Sequence, residues 1–124
     1  MKNFIIKMKD NYVINKVRRT HIPVFDGSPV VRKNIIFSGR VQKVGFRLEI
    51  YELAKRLNLT GFVMNMDNGD VVLEAQGEND RIVFLVEHME SLKRAKVINV
   101  ATKELQKIEE NEFIDTRHSA GQKG

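Results

Sequence analysis

The sequence predicts an α+β fold of ferredoxin-like type: a two-layer sandwich with two helices on one face of an antiparallel sheet. Two observations carry this. From residue 34 the apolar period switches between two and about 3.6 in the order β-α-β-β-α-β, with one short segment after it. The middle strands are joined by Asp67-Asn68-Gly69-Asp70, whose Asn-Gly pair signals a tight hairpin.

Each element has its own justification. Asn34 to Val41 is rich in β-branched and aromatic residues and reads as the first strand. Phe46, Ile50, Leu53, Ala54 and Leu57 then recur at helical spacing, with Glu49, Glu52, Lys55 and Arg56 on the other face. Thr60 to Asn65 is the second strand. Val71 to Gln76 alternates, with Val71, Leu73 and Ala75 on one side. Asn79 or Asp80 is suited to cap a second helix, whose stripe is Ile82, Leu85, Val86, Met89 and Leu92. Met89 is expected in the core. Lys96 to Thr102 is the fourth strand and Glu112 to Arg117 a short last one. Residues 118–124 read as a disordered tail.

Residues 1–33 differ in character. They hold both prolines, Pro23 and Pro29, and eight Lys/Arg against two Asp, a net of +6. Residues 34–124 carry 13 basic and 14 acidic side chains, so the overall charge of +5 belongs to the amino-terminal segment. That split weakens a nucleic-acid reading for the domain itself. The pieces Phe4-Ile5-Ile6 and Tyr12-Val13-Ile14 suit either a small hairpin laid against the domain or a mobile arm. A partly ordered or flexible basic extension is the favoured expectation, dispensable for chemistry.

Composition excludes several chemistries. Cys is absent, so there is no disulfide, thiol nucleophile or Cys-based metal site. His21, His88 and His118 lie far apart without ligand spacing, and a structural role is expected for each. No apolar run approaches the roughly 20 residues of a membrane span. No metal, cofactor or membrane partner is expected, and a cytoplasmic monomer is.

The stretch with chemical content is Ser38-Gly39-Arg40-Val41-Gln42-Lys43-Val44-Gly45-Phe46-Arg47. A strand enters a glycine-bounded turn that opens a helix with an arginine in its first turn. Free N–H groups at a helix start point outward, the dipole favours negative charge, and a guanidinium clamps phosphate with parallel hydrogen bonds. Taken alone, Arg47 is more often a solvated arginine, and the loop before it changes that weighting. Asn65 ends a strand before a turn, a common use of Asn. Its amide can equally accept from a water and donate to an oxygen at once.

Gly39-Arg40-Val41-Gln42, Val44-Gly45-Phe46-Arg47, Thr60-Gly61-Phe62-Val63, Asn65 and Gly69 together resemble the signature of the acylphosphatases. The resemblance runs from about Asn34 to Arg117 and is strongest from Gly39 to Gly77. It implies the ferredoxin-like fold and hydrolysis of an acyl phosphate to a carboxylate and inorganic phosphate, without metal or cofactor. It also implies that Gln42, Lys43, Val44, Gly45, Phe46 and Arg47 hold the substrate phosphate, and that Arg47 and Asn65 are catalytic. A carboxylate leaves without a general acid, so positioning and electrostatics suffice. The other reading is a non-catalytic acylphosphatase-like domain that binds an anion or a partner.

Two residues depart from the family pattern. Lys43 stands where glycine is usual; it either strains the loop, adds a cation, or is simply solvated. Met64 replaces a residue that is usually basic, next to Asn65.

Overall fold

The computed structural model describes residues 2–116. Eight elements follow one another: α1 (Lys2–Arg19), β1 (Val30–Arg40), α2 (Phe46–Arg56), β2 (Thr60–Asn65), β3 (Val71–Glu78), α3 (Asn79–Glu90), β4 (Lys96–Leu105) and β5 (Phe113–Thr116). The five strands form one sheet in the order β4-β1-β3-β2-β5. The first four neighbours pair antiparallel, and β5 joins β2 in parallel, so the sheet is mixed and not purely antiparallel. The ferredoxin-like order of the four main strands is the expected one. The tail 118–124 lies outside the described residues.

Alternation along the strands makes the core. Ile35 and Phe37 of β1, Val63 of β2, and Val71, Leu73 and Ala75 of β3 are buried on the helical face. Phe46, Ile50, Leu53 and Ala54 of α2 and Ile82, Leu85 and Met89 of α3 close over them. Phe37 and Phe46 meet edge-on at 5.1 Å between ring centroids, fixing the start of α2 on the sheet. The opposite face is mixed, with Ile36, Val72, Phe62 and Met64 in register beside Asn34, Glu74 and Gln76. Its centre is Arg32, 4% exposed, which binds Glu74 and Glu110. Gln76 exchanges two hydrogen bonds with the backbone of Ile108. Segment 106–112 is thereby pinned beside that face, and it leads the chain to β5.

The amino-terminal segment corrects the sequence reading. It is neither a hairpin nor a flexible arm: Lys2–Arg19 is an 18-residue helix. Val13 and Val17, four residues apart and so on one face, are each 2% exposed and join the core beside α2. Lys16, Arg18 and Arg19 in its last turn suit the negative end of the helix dipole. Arg56 donates to the carbonyls of Val17 (2.5 Å) and Thr20 (2.8 Å), satisfying orphan acceptors there. β1 also begins earlier than expected, at Val30. The cap of α3 differs as well. No side chain of its own caps it; the Asp80 N–H donates to Ser28 Oγ at 2.9 Å, and Asn79 N–H to Pro29 O at 3.0 Å.

Candidate functional site

The loop between β1 and α2 carries the chain from an inner strand to the first sheet-covering helix, and its backbone is unusual. Lys43 has φ 66° and Gly45 φ 76°, two left-handed residues within three positions. Such alternation turns successive N–H groups to one side and makes a concave anion nest. Among the described residues, the N–H groups of Lys43, Val44, Gly45, Phe46 and Arg47 have no protein partner. The first bonded N–H in α2 is that of Glu49, to Gly45 O at 3.0 Å. Gly45 is fixed for a second reason: a Cβ there would lie 2.8 Å from Val13 Cγ2 of α1. The same glycine therefore serves the turn and the seat of the amino-terminal helix.

The loop is one wall of a cavity of about 370 Å³, together with Arg47 and Leu48 of α2 and Asn65 of β2. The sequence had paired Arg47 with Asn65, and the fold brings them to one space. It does so because β2 lies next to β5 beneath α2, so the end of β2 opens toward the helix start. Asn65 Oδ1 is buried without a hydrogen-bond partner among the described residues. Met64 precedes it, its register opposite Val72.

Gln42 and Val44, expected at the phosphate through their N–H groups, turn their side chains elsewhere. The Gln42 side chain is turned to the neighbouring loop and donates to Met66 O at 2.8 Å and Asp70 O at 2.9 Å. It ties the cradle to the β2–β3 hairpin, where Asn65 ends. Val44 points toward α1 and away from Arg47.

Several residues at the site were not found by sequence reasoning. Asp115 of β5 lies 2.8 Å from Arg47 Nε through Oδ1, with the two side chains 12% and 19% exposed. The pair is close in distance, but the N–H is not aimed at that oxygen, so it is an ion pair and not a formed hydrogen bond. Lys9 and Asp10 of α1 also line the cavity. No local pattern announces them, since they come from an element whose docking depends on distant partners.

Behind the loop stands Glu49. The sequence placed it on the solvent face of α2; instead it is fully buried. Lys16 of α1 (2.7 Å), His88 of α3 (2.6 Å) and Arg94 (2.5 Å) converge on its carboxylate. Burial alone would raise the Glu49 carboxyl. Hydrogen bonds from His88, Lys16 and Arg94, with the Arg94 charge, outweigh that and hold it low, at about 2. Arg94 also donates to Val44 O at 2.5 Å and Gly45 O at 3.4 Å. With those carbonyls held from the rear, the peptide units are fixed as the nest requires. His88 thus has the structural role expected of it.

Comparisons with known proteins identify the family. Residues 33–115 match the family model described as acylphosphatase. This chain belongs to the acylphosphatase family. An acylphosphatase from Bifidobacterium longum is 42% identical over 82 residues, 65% of this chain and 84% of that one. Among solved structures, an acylphosphatase from Coxiella burnetii superposes with a TM-score of 0.66 at 35% identity, covering 70% of this chain and 93% of that one. One from Bacillus subtilis gives 0.64 at 30% identity, covering 70% and 97%. Helix α1 precedes the matched region, so the acylphosphatase domain here carries an added wall. No helix among the described residues is long and apolar enough to cross a membrane.

Proposed function

We propose that this acylphosphatase hydrolyses acyl phosphates in the cavity at the Lys43–Arg47 loop, with Arg47 and Asn65 as its catalytic residues. The observation that carries the reading is the meeting of three features in one space. They are partnerless N–H groups, a guanidinium, and a buried amide oxygen with no protein donor. The nest and Arg47 bind the phosphoryl oxygens. Asp115 stands at Nε and leaves Nη1 and Nη2 of Arg47 to form a two-pronged clamp on phosphate. Asn65 Oδ1 accepts a hydrogen bond from a water and aims its lone pair at phosphorus. The P–O bond to the acyl group breaks, the carboxylate departs with the electron pair, and a phosphoryl oxygen takes the water's proton. Each part is positioning and electrostatics, with no residue required to donate a proton.

The binding-only reading rested on a cradle damaged by Lys43. Lys43 instead adopts the left-handed conformation that glycine would, so that ground is lost. A cytoplasmic location and a monomeric state belong to the same proposal, with fractionation and size-exclusion chromatography as their tests.

The direct experiment is hydrolysis of acetyl phosphate by the wild type and by Asn65→Ala. Wild-type turnover should persist in EDTA and be inhibited competitively by inorganic phosphate. Asn65→Ala should lose kcat with KM nearly unchanged, because it handles the water and not the phosphate. Full activity in a folded Asn65→Ala protein removes the assigned role.

A further inference from the structure

A second cavity lies where α1 crosses the cradle. Its volume is about 530 Å³, and Met8, Tyr12 and Val13 of α1 and Val44 of the loop form its apolar walls. The size falls within the range of small-ligand sites, about 300–1000 Å³. Lys9, Lys43 and Gly45 belong to the walls of both cavities, so the two spaces adjoin. Met8 and Tyr12 are each 55% exposed, two large side chains standing open beside an anion site. The Arg94 guanidinium lies 5.9 Å from the centre of the Tyr12 ring and supports it. The side chains of Lys9 and Lys43, at the junction, make no ion pair or hydrogen bond among the described residues.

We propose that this second space is the acyl-binding subsite, and that the preferred substrates are acyl phosphates with an apolar aliphatic chain of several carbons. The inference rests on the reading of the first cavity as the place of acyl phosphate hydrolysis. In-line displacement puts the leaving group opposite the attacking water. With the water at Asn65, the acyl group lies on the side away from it, and the adjoining space is one that Asn65 does not line. The charge pattern agrees. Cations stand where the anionic head meets the tail, and apolar side chains stand beyond them. Arg94, the remaining wall residue, is engaged by the Glu49 carboxylate and the Val44 carbonyl, which leaves the apolar side chains to meet the acyl chain.

The test is a chain-length series of acetyl, butyryl and octanoyl phosphates. Their carboxylic acids have nearly the same acidity, so leaving-group reactivity is constant and kcat/KM reports binding. The expected result is a climb in kcat/KM of roughly ten-fold or more from acetyl to octanoyl. A Met8→Ala/Tyr12→Ala double variant should flatten that climb, Met8→Ala alone should lessen it, and Tyr12→Phe should retain it. Equal kcat/KM across the series in the wild type overturns the subsite, as does an unaltered climb in the double variant. Absence of turnover on every member would instead strike the hydrolytic reading. In that case octanoate titrated into the wild-type protein decides the subsite by itself. Shifts of the Met8 methyl and Tyr12 ring resonances support it, and their absence at saturating octanoate overturns it.

Discussion

The two sides of the Lys43–Arg47 loop are built by opposite rules. On the front, N–H groups and Asn65 Oδ1 have no protein partner, and Lys43 is held at φ 66°. On the rear, Glu49 is fully buried and meets three basic side chains, and Arg94 holds two of the loop's carbonyls. Unpaired polar groups and strained backbone are costly, and they persist where neighbouring structure over-determines them. Here that structure is one carboxylate deep, and it ties together α1, α2, α3 and the turn before β4. The lesson is that the site's preorganisation is stored away from the atoms that meet substrate. Changes at the front should therefore cost rate, and changes at the rear should cost fold.

The largest effect expected is on the front. Arg47→Ala removes the cavity's clamp on the phosphoryl oxygens and should lower kcat/KM by roughly 10³-fold or more, through both kcat and KM. Some stability should go with it, since Asp115 is 12% exposed and its buried Oδ1 loses its cation, but less than at the rear, where three basic groups meet one carboxylate. Steady-state kinetics beside a thermal melt would check both halves. A large loss of Tm with modest loss of rate would break the contrast.

Next comes the rear. Glu49→Gln leaves three basic groups around a neutral amide and should destabilise by about 3–5 kcal/mol. The wild type should show the same network through pH. Glu49 titrates at about 2 in the folded chain, against an ordinary 4.5. Its folded value is depressed, so its contribution is complete above the unfolded value and is lost as pH falls from about 4.5 toward 2. The shift corresponds to about 3 kcal/mol. Urea midpoints at pH 6 and pH 3 should differ more in the wild type than in Glu49→Gln. Equal losses in both would remove Glu49 from this role.

A third prediction concerns α1. Val17→Ala removes two buried methyl groups at the α1 seam and should cost about 2 kcal/mol. Deletion of residues 1–20 should destabilise more, since it also strips Lys16 from Glu49. A truncated chain with an unchanged melting temperature would return α1 to the status of an appendage.

That last point marks where the sequence was legible. The ferredoxin-like order was readable because Phe46, Ile50, Leu53 and Ala54 repeat at helical spacing and Val71, Leu73 and Ala75 alternate. Those signals are local and strong. Arg47 and Asn65 were readable because a motif spans them. Helix α1 was not. Only Val13 and Val17 of its described side chains are buried, too narrow a stripe to announce a helix. The clue available was weaker: no Gly or Pro interrupts residues 2–19. Glu49 looked like any glutamate on a helix's polar face, because the cations that bury it come from residues 16, 88 and 94. Asp115 reaches Arg47 only through the parallel pairing of β5 with β2. Contacts that depend on topology leave no periodic trace in sequence.

The smallest effect separates the two sides within one residue. Lys43 belongs to the front by its side chain and to the nest by its backbone. At φ 66° a lysine pays a steric cost of about 1 kcal/mol or slightly more that glycine escapes. Lys43→Gly should therefore relieve strain, offset in part by the greater freedom of glycine in the unfolded chain. A net gain of up to about 1 kcal/mol is expected. The side chain points the other way. It is exposed, lines the cavity, and makes no ion pair among the described residues, so its charge is available to an anion. If backbone geometry governs the cradle, kcat for acetyl phosphate should rise or hold, and KM should depend little on salt. If charge governs, KM should rise at low ionic strength and the difference should fade at high salt. Arg47 already supplies a cation and the five N–H groups are aimed by backbone, so the first outcome is expected. One variant assayed at two ionic strengths decides it, and a higher KM with unchanged kcat would make Lys43 a ligand in its own right.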